Sequence, residues 1–212
     1  AGRHNNLTFE RQRNGDPPRE LMKLNVALNL FDITAESLYD LTPVVGVASQ
    51  YATVFEQENN GVDIKLDFES PRPNENFLTY GLLFNVGEQN FDNRLDAIAG
   101  PGPLPYVTAL DGRQQTLAGY LTYQFETGDW TWLPGLRVES YRREVVSGAA
   151  ETDDVDDRLF PSLHIRRALT PNINIDLSYS ARIQRPGIQQ LDPALRFIDV
   201  NRAVSGNPNL EP

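Results

Sequence analysis

The stretch Asn172-Ile173-Asn174-Ile175-Asp176-Leu177-Ser178-Tyr179-Ser180-Ala181-Arg182-Ile183-Gln184 puts every odd residue on an apolar lane and every even residue on a polar one. Period-two alternation is the mark of a half-buried strand. Thirteen alternating residues exceed the five or six of an ordinary soluble strand. They reach the roughly 9 to 11 that a tilted strand needs to cross a bilayer. One face asks for oil and the other for water. A closed ring of such strands supplies both, with lipid outside and a wet or plugged lumen inside.

Working outward, Thr170-Pro171-Asn172 is a turn, and before it Leu159, Pro161, Leu163, Ile165 and Leu169 oppose Ser162, His164 and Arg166. Earlier still, Trp130, Trp132, Leu136 and Val138 oppose Thr131, Arg137, Glu139, Tyr141 and Arg143. A turn at Thr127-Gly128-Asp129 joins these to Leu117, Leu121, Tyr123 and Phe125. Both tryptophans flank that turn, as in an aromatic girdle at the headgroup level; the alternative is the end of a soluble core. Leu78, Tyr80, Leu82, Phe84 and Val86 form another lane, reached through Ser70 to Asn76, whose prolines cannot donate to a ladder. Val62, Ile64, Leu66 and Phe68 oppose a charged lane of Asp63, Lys65, Asp67 and Glu69. Asn59-Asn60-Gly61 predicts a tight turn before them. A poorer strand is expected over Val44 to Gln57, with Val45, Val47, Tyr51 and Phe55 on one side. A clear one has Met22, Leu24, Val26, Leu28 and Leu30, followed by a connection from Phe31 to Pro43 with a helical turn around Glu36 to Tyr39. A weak strand with Leu7 and Phe9 opens the chain and is broken by Arg13 to Pro18.

Nine strands are therefore expected, joined by connections of alternating length. Ser70 to Asn76, Thr127 to Asp129 and Thr170 to Asn172 are short; Glu88 to Gln114, Glu144 to Asp157 and Arg185 to Pro212 are long and read as loops. Sequential antiparallel strands put every second connection at the same end. Outer-membrane barrels segregate loops by length in this way, whereas a Greek-key sandwich has no reason to.

The 212 residues carry a net charge of −10 and no cysteine, which excludes a disulfide framework and a thiolate metal site. No basic cluster offsets the acidity, so nucleic acid is not an expected partner. No run of about 18 apolar residues is present, so no membrane-spanning helix is expected. Ala1-Gly2-Arg3-His4 does not open a signal peptide, and the chain is expected to be a mature protein or a cut piece. The mean hydropathy of −0.44 suits a soluble protein and a membrane barrel alike.

Catalytic chemistry finds little support. His4 and His164 are the only histidines, which leaves no triad or multi-histidine metal site, and His164 on a polar lane beside Arg166 suits lumen hydrogen bonding. Asp153, Asp154, Asp156 and Asp157 lack the glycine and glutamate spacing of an EF-hand and read as a solvated loop. Arg137, Glu139, Arg166, Asp176 and Arg182 are expected to form a lumen ladder of cross-strand pairs bracing a plug. Gly100-Pro101-Gly102-Pro103-Leu104-Pro105 has no phosphate-loop spacing, and Asn6-Leu7-Thr8 matches a glycosylation sequon only for a secreted eukaryotic chain. No catalytic, cofactor-binding or metal residue is assigned, and no enzyme is expected.

An ordered set of motifs resembles a known family. Leu159-Phe160-Pro161-Ser162-Leu163, Leu177-Ser178-Tyr179-Ser180, Arg182-Ile183-Gln184-Arg185-Pro186, Leu191-Asp192-Pro193 and Gly206-Asn207-Pro208-Asn209-Leu210-Glu211-Pro212 look like the mid-barrel signature of TonB-dependent outer-membrane receptors. Gly135-Leu136-Arg137-Val138-Glu139 is similar to their recurrent barrel strand. The match covers about residues 61 to 212, while residues 1 to 60 fit as generic barrel strands. The resemblance implies an all-β, antiparallel, up-and-down transmembrane β-barrel segment across residues 1–212, part of a barrel of roughly 22 strands. It also implies energised import of a bulky nutrient, a metal chelate such as a siderophore or a glycan. External loops and a plug would bind the substrate, and the TonB complex would drive release. No plug, TonB box or terminal aromatic strand is found in this sequence, and the chain is expected to be cut within an external loop. The rival readings are a soluble β-sandwich binding carbohydrate or another ligand, with its apolar lanes meeting between two sheets, and an outer-membrane enzyme or passive pore.

Overall fold

The computed structural model describes the chain apart from residues 17–18, 43–45, 101–104, 171, 200–201 and 212, and the side chains of 41 and 197–199. Its strands are β1 (Gly2–Asn14), β2 (Leu21–Leu41), β3 (Ser49–Pro71), β4 (Phe77–Ala99), β5 (Tyr106–Thr127), β6 (Trp130–Ser147), β7 (Ala150–Thr170) and β8 (Ile173–Ser180). Among the described residues these eight form one antiparallel sheet in sequence order, which does not close on itself. One helical turn, α1 (Ile188–Leu191), and a small hairpin of β9 (Arg196–Asp199) and β10 (Arg202–Val204) follow.

The up-and-down sheet is the expected one, and its strands are longer than expected. Asn59 to Gly61 is no turn: these residues pair with Phe31 to Asn29 and with Gln89 to Gly87 inside β3, so two expected strands are one. Phe31 to Leu41 continues β2 in place of a connection with a helical turn. Most of the expected loop from Glu88 to Gln114 is ladder, as β4 runs on to Ala99 and β5 begins at Tyr106. The expected loop from Glu144 to Asp157 is also ladder, closed by Gly148-Ala149 with Gly148 at φ +59°. The Gly100-to-Pro105 motif lies largely outside the described residues, as do Val44 and Val45. The opening stretch stops pairing at Ser180, four residues short of Gln184, and the chain turns away.

A change of side within β2 to β6 explains their extra length. On β4, Leu82, Phe84 and Val86 face outward, and on the same parity Glu88, Asn90 and Asp92 follow. The opposite parity carries Asn85, Gly87 and Gln89, then Phe91 and Leu95, which are 4% and 1% exposed. β2 switches in the same way: Leu24 to Leu30 give way to Asp32 and Glu36 on one side, and Asn25 and Asn29 to Phe31 and Ile33 on the other. From β2 to β6 the lower half turns oil outward and the upper half turns it inward, whereas the upper inward side of β7 carries Asp154, Asp156 and Arg158. Leu82, Leu117, Leu136 and Leu177, at 57%, 57%, 45% and 64% exposed, share the outward face with no second layer over them. That excludes the sandwich, in which those residues meet in a core.

The outward band crosses the strands obliquely. Leu30 tops the apolar lane of β2, and its register row runs through Asn60, Glu88, Arg113 and Glu144 to Asp153, all polar or charged. On β6 and β7 the continuous lane ends at Val138 and Leu159, six residues below Glu144 and Asp153. Six residues at about 3.3 Å against five strand steps at about 4.8 Å give a tilt of about 40°. Transmembrane barrel strands tilt by about 35–45°.

Candidate functional site

The site is the inward face and the chain that folds across it after β8. Low on this face the side chains are polar and mutually bonded. Asp63 accepts from Asn29 Nδ2 at 3.2 Å and from Asn85 Nδ2 at 2.5 Å, which ties β2, β3 and β4 together. Arg166 Nε donates to Asp176 Oδ1 at 2.6 Å, and His164 Nδ1 lies 3.0 Å from Ser178 Oγ.

Higher up, three guanidinium groups share two carboxylates. Arg137 donates through Nε and Nη2 to Glu139 Oε2 at 3.0 and 2.7 Å. Arg185 donates through Nη1 to Glu139 Oε1 at 2.5 Å and through Nη2 to Asp156 Oδ2 at 3.0 Å. Arg158 Nε donates to Asp156 Oδ1 at 2.7 Å. The Arg185 guanidinium also lies 4.1 Å from the centre of the Tyr141 ring, a cation–π contact. Charge-assisted bonds of this kind are about twice as strong as neutral ones, and Glu139 is nearly sealed from solvent. Beside them the buried Arg143 donates to Asp154 at 3.1 Å.

The next contact is apolar. Ile188 and Leu191 of α1 pack on Phe91, Leu110 and Val145, the inward residues of β4, β5 and β6. Gly112 makes room for this, since a Cβ there would lie 2.5 Å from Ile188 Cδ1. Ser147 Oγ then donates to Asp192 Oδ1 at 2.7 Å.

The ladder expected from Arg137, Glu139, Arg166, Asp176 and Arg182 is therefore two separate pairs, Arg137–Glu139 and Arg166–Asp176. Arg182 is exposed at the mouth of the groove formed with Arg137, Phe160, Ser162 and Arg185. Of the residues that complete the cluster, Asp156 and Arg185 lie in stretches expected to be loop and tail, and Arg158 at the boundary of the expected loop. For Asp156 and Arg158 a signal existed: Asp154, Asp156 and Arg158 share parity with Phe160 and Ser162 on β7. The same alternation separates the four aspartates, as Asp154 and Asp156 face inward to arginines while Asp153 and Asp157 face outward.

The tryptophans fall where the girdle reading puts them. On the outward face beside Gly128-Asp129, Phe125 stacks on Trp132 at 6.4 Å and Trp130 lies tilted against Trp132 at 5.9 Å, with Arg167 over Trp130 at 4.8 Å. Phe68 and Tyr80 stack at 4.9 Å at the same end of the sheet.

Oil outward, fixed charge inward and strands tilted by about 40° define a stretch of transmembrane β-barrel wall. The chain belongs to the outer membrane protein beta-barrel family, whose model matches residues 19–212. It is an outer-membrane protein. Its fold is similar to that of the ferripyoverdine receptor of the outer membrane of Pseudomonas aeruginosa (TM-score 0.60, 15% identity, 90% of this chain and 28% of that one). It is similar, too, to the ferric-catecholate import receptor Fiu from E. coli K12 (TM-score 0.59, 12% identity, 89% of this chain and 35% of that one). The ferric yersiniabactin uptake receptor FyuA from Yersinia pestis gives a TM-score of 0.57 at 14% identity over 79% of this chain and 26% of its own. The chain thus spans between a quarter and about a third of the length of these receptors. None of the curated proteins matches it.

Proposed function

We propose that residues 1–212 form one stretch of the barrel wall of a TonB-dependent receptor that imports a bulky nutrient, a ferric chelate such as a siderophore or a glycan. The observation that carries this is the reversal of polarity between the two faces, because a wall that is wet and charged inside is built to surround something polar. The inner arginines add fixed donors for a substrate's oxygens. The three receptors compared above are named for ferric chelates, which favours the chelate over the glycan. Energy would come from the TonB complex acting on a plug inside the ring.

The test uses the full-length gene. Its deletion should abolish growth on one ferric chelate, or one glycan, supplied as the sole iron or carbon source, and disruption of TonB should do the same. Unimpaired uptake across both panels in the deletion strain rules the proposal out.

A further inference from the structure

After Ser180 the chain leaves the sheet edge and crosses the inward faces of β7, β6, β5 and β4 as a strap from Ala181 to Asp192. It is fixed at two points of different chemistry. Arg185 is held by Glu139 and Asp156 over Tyr141. Ile188, 1% exposed, is seated over Gly112. The apolar point has no charge to exchange. The ionic point does, because three guanidinium groups share two carboxylates that each already serve two of them.

We propose that the strap is a releasable cover on the inner wall, and that its Arg185 anchor opens when an anionic group enters the groove beside Arg137 and Arg182. A carboxylate or phosphate presents two oxygens to a guanidinium in the fork geometry that Glu139 and Asp156 supply separately. Such a group satisfies the surplus positive charge and takes Arg185 from the wall. Ile188 stays seated and limits the movement to the segment before it. The release step rests on the importer reading, since an anion must reach the groove.

The test uses the full-length receptor in lipid nanodiscs. Spin labels at Gln184→Cys on the strap and Asp111→Cys on the outward side of β5 report the distance between strap and wall; the 212 residues contain no native cysteine. In chloride the distances should form one narrow population. Inorganic phosphate at matched ionic strength should add a second, displaced one. Arg185→Ala should raise that displaced population about tenfold or more without phosphate, and phosphate should then change nothing further. Arg185→Lys keeps the charge and should fall between the two. Unchanged distances in wild type under phosphate overturn the proposal, whether or not Arg185→Ala folds. A displaced population in Arg185→Ala that still grows with phosphate overturns it as well, because the anion then acts elsewhere. The readout needs no transport, so a strap that answers phosphate in a receptor that imports nothing sinks the importer reading alone.

Discussion

Two ion pairs on the same face show why distance alone does not set what a residue contributes. Arg166–Asp176 is a short contact at 2.6 Å, but its side chains are 65% and 54% exposed. Glu139, with 9% of its side chain exposed, holds Arg137 at 2.7 Å and Arg185 at 2.5 Å. Water screens the first pair, so Asp176→Asn should cost less than about 1 kcal/mol. Glu139→Gln strips Arg137 of its carboxylate, leaves Arg185 with Asp156 alone, and should cost about 3 kcal/mol. Urea midpoints of the two variants of the full receptor check the ranking, and equal midpoints would show that the lumen is as wet at Glu139 as at Asp176. Gly112→Val tests the apolar anchor. Its Cβ would lie 2.5 Å from Ile188, so it should unseat the strap and cost about 1–3 kcal/mol. Faster tryptic cleavage after Arg182 is the readout, since Pro186 protects the bond after Arg185.

Each strand from β2 to β6 is two amphipathic segments of opposite phase joined end to end, and this decides how much of the sheet was legible. The lower segments alternate cleanly with apolar residues outward, as in Val62 to Phe68 or Leu78 to Val86, and they read directly as membrane strands. At the switch the apolar lane changes parity. Leu30 and Phe31 are adjacent, and the lane of Val86 passes into Glu88, so the period-two pattern breaks where only its side has changed. For that reason the sequence suggests a connection or loop at Phe31 to Pro43, Glu88 to Gln114 and Glu144 to Asp157 and only a poor strand at Val44 to Gln57, although Phe91 and Leu110 are in phase with the inner wall. The strap was illegible on other grounds, since Arg185 and Ile188 are fixed by β4, β5, β6 and β7, which no local pattern names. The switch also makes a prediction along a single lane. Leu82→Lys puts a charge at the middle of the lipid-facing band and should cost about 2–4 kcal/mol of folding free energy in vesicles. Asp92→Lys, ten residues further along the same outward parity, should cost close to nothing. If both changes cost the same in folding titrations into phospholipid, β4 has no membrane boundary between them.

At the scale of the molecule, the tilt turns register into depth. Leu30 and Asp153 belong to one register row, yet Leu30 tops the apolar band on β2 while Asp153 lies six residues above Leu159, where the band ends on β7. With strands inclined by about 40°, six residues at about 3.3 Å correspond to roughly 15 Å along the membrane normal. Spin labels placed one at a time at Leu30, Asp153 and Leu159 of the full receptor in lipid should therefore sort by band and not by row. Leu30 and Leu159 should report the same depth at the outer edge of the hydrocarbon, by the ratio of oxygen to nickel-chelate accessibility. Asp153 should be open to the nickel chelate and closed to lipid-dissolved oxygen. The aromatic cluster of Phe125, Trp132 and Trp130 sets the other limit, because it fixes that end of β5 and β6 at the opposite headgroup layer. Equal accessibility of Leu30 and Asp153, with Leu159 buried deeper, would mean that the strands run parallel to the membrane normal. No closed barrel can be built from such strands.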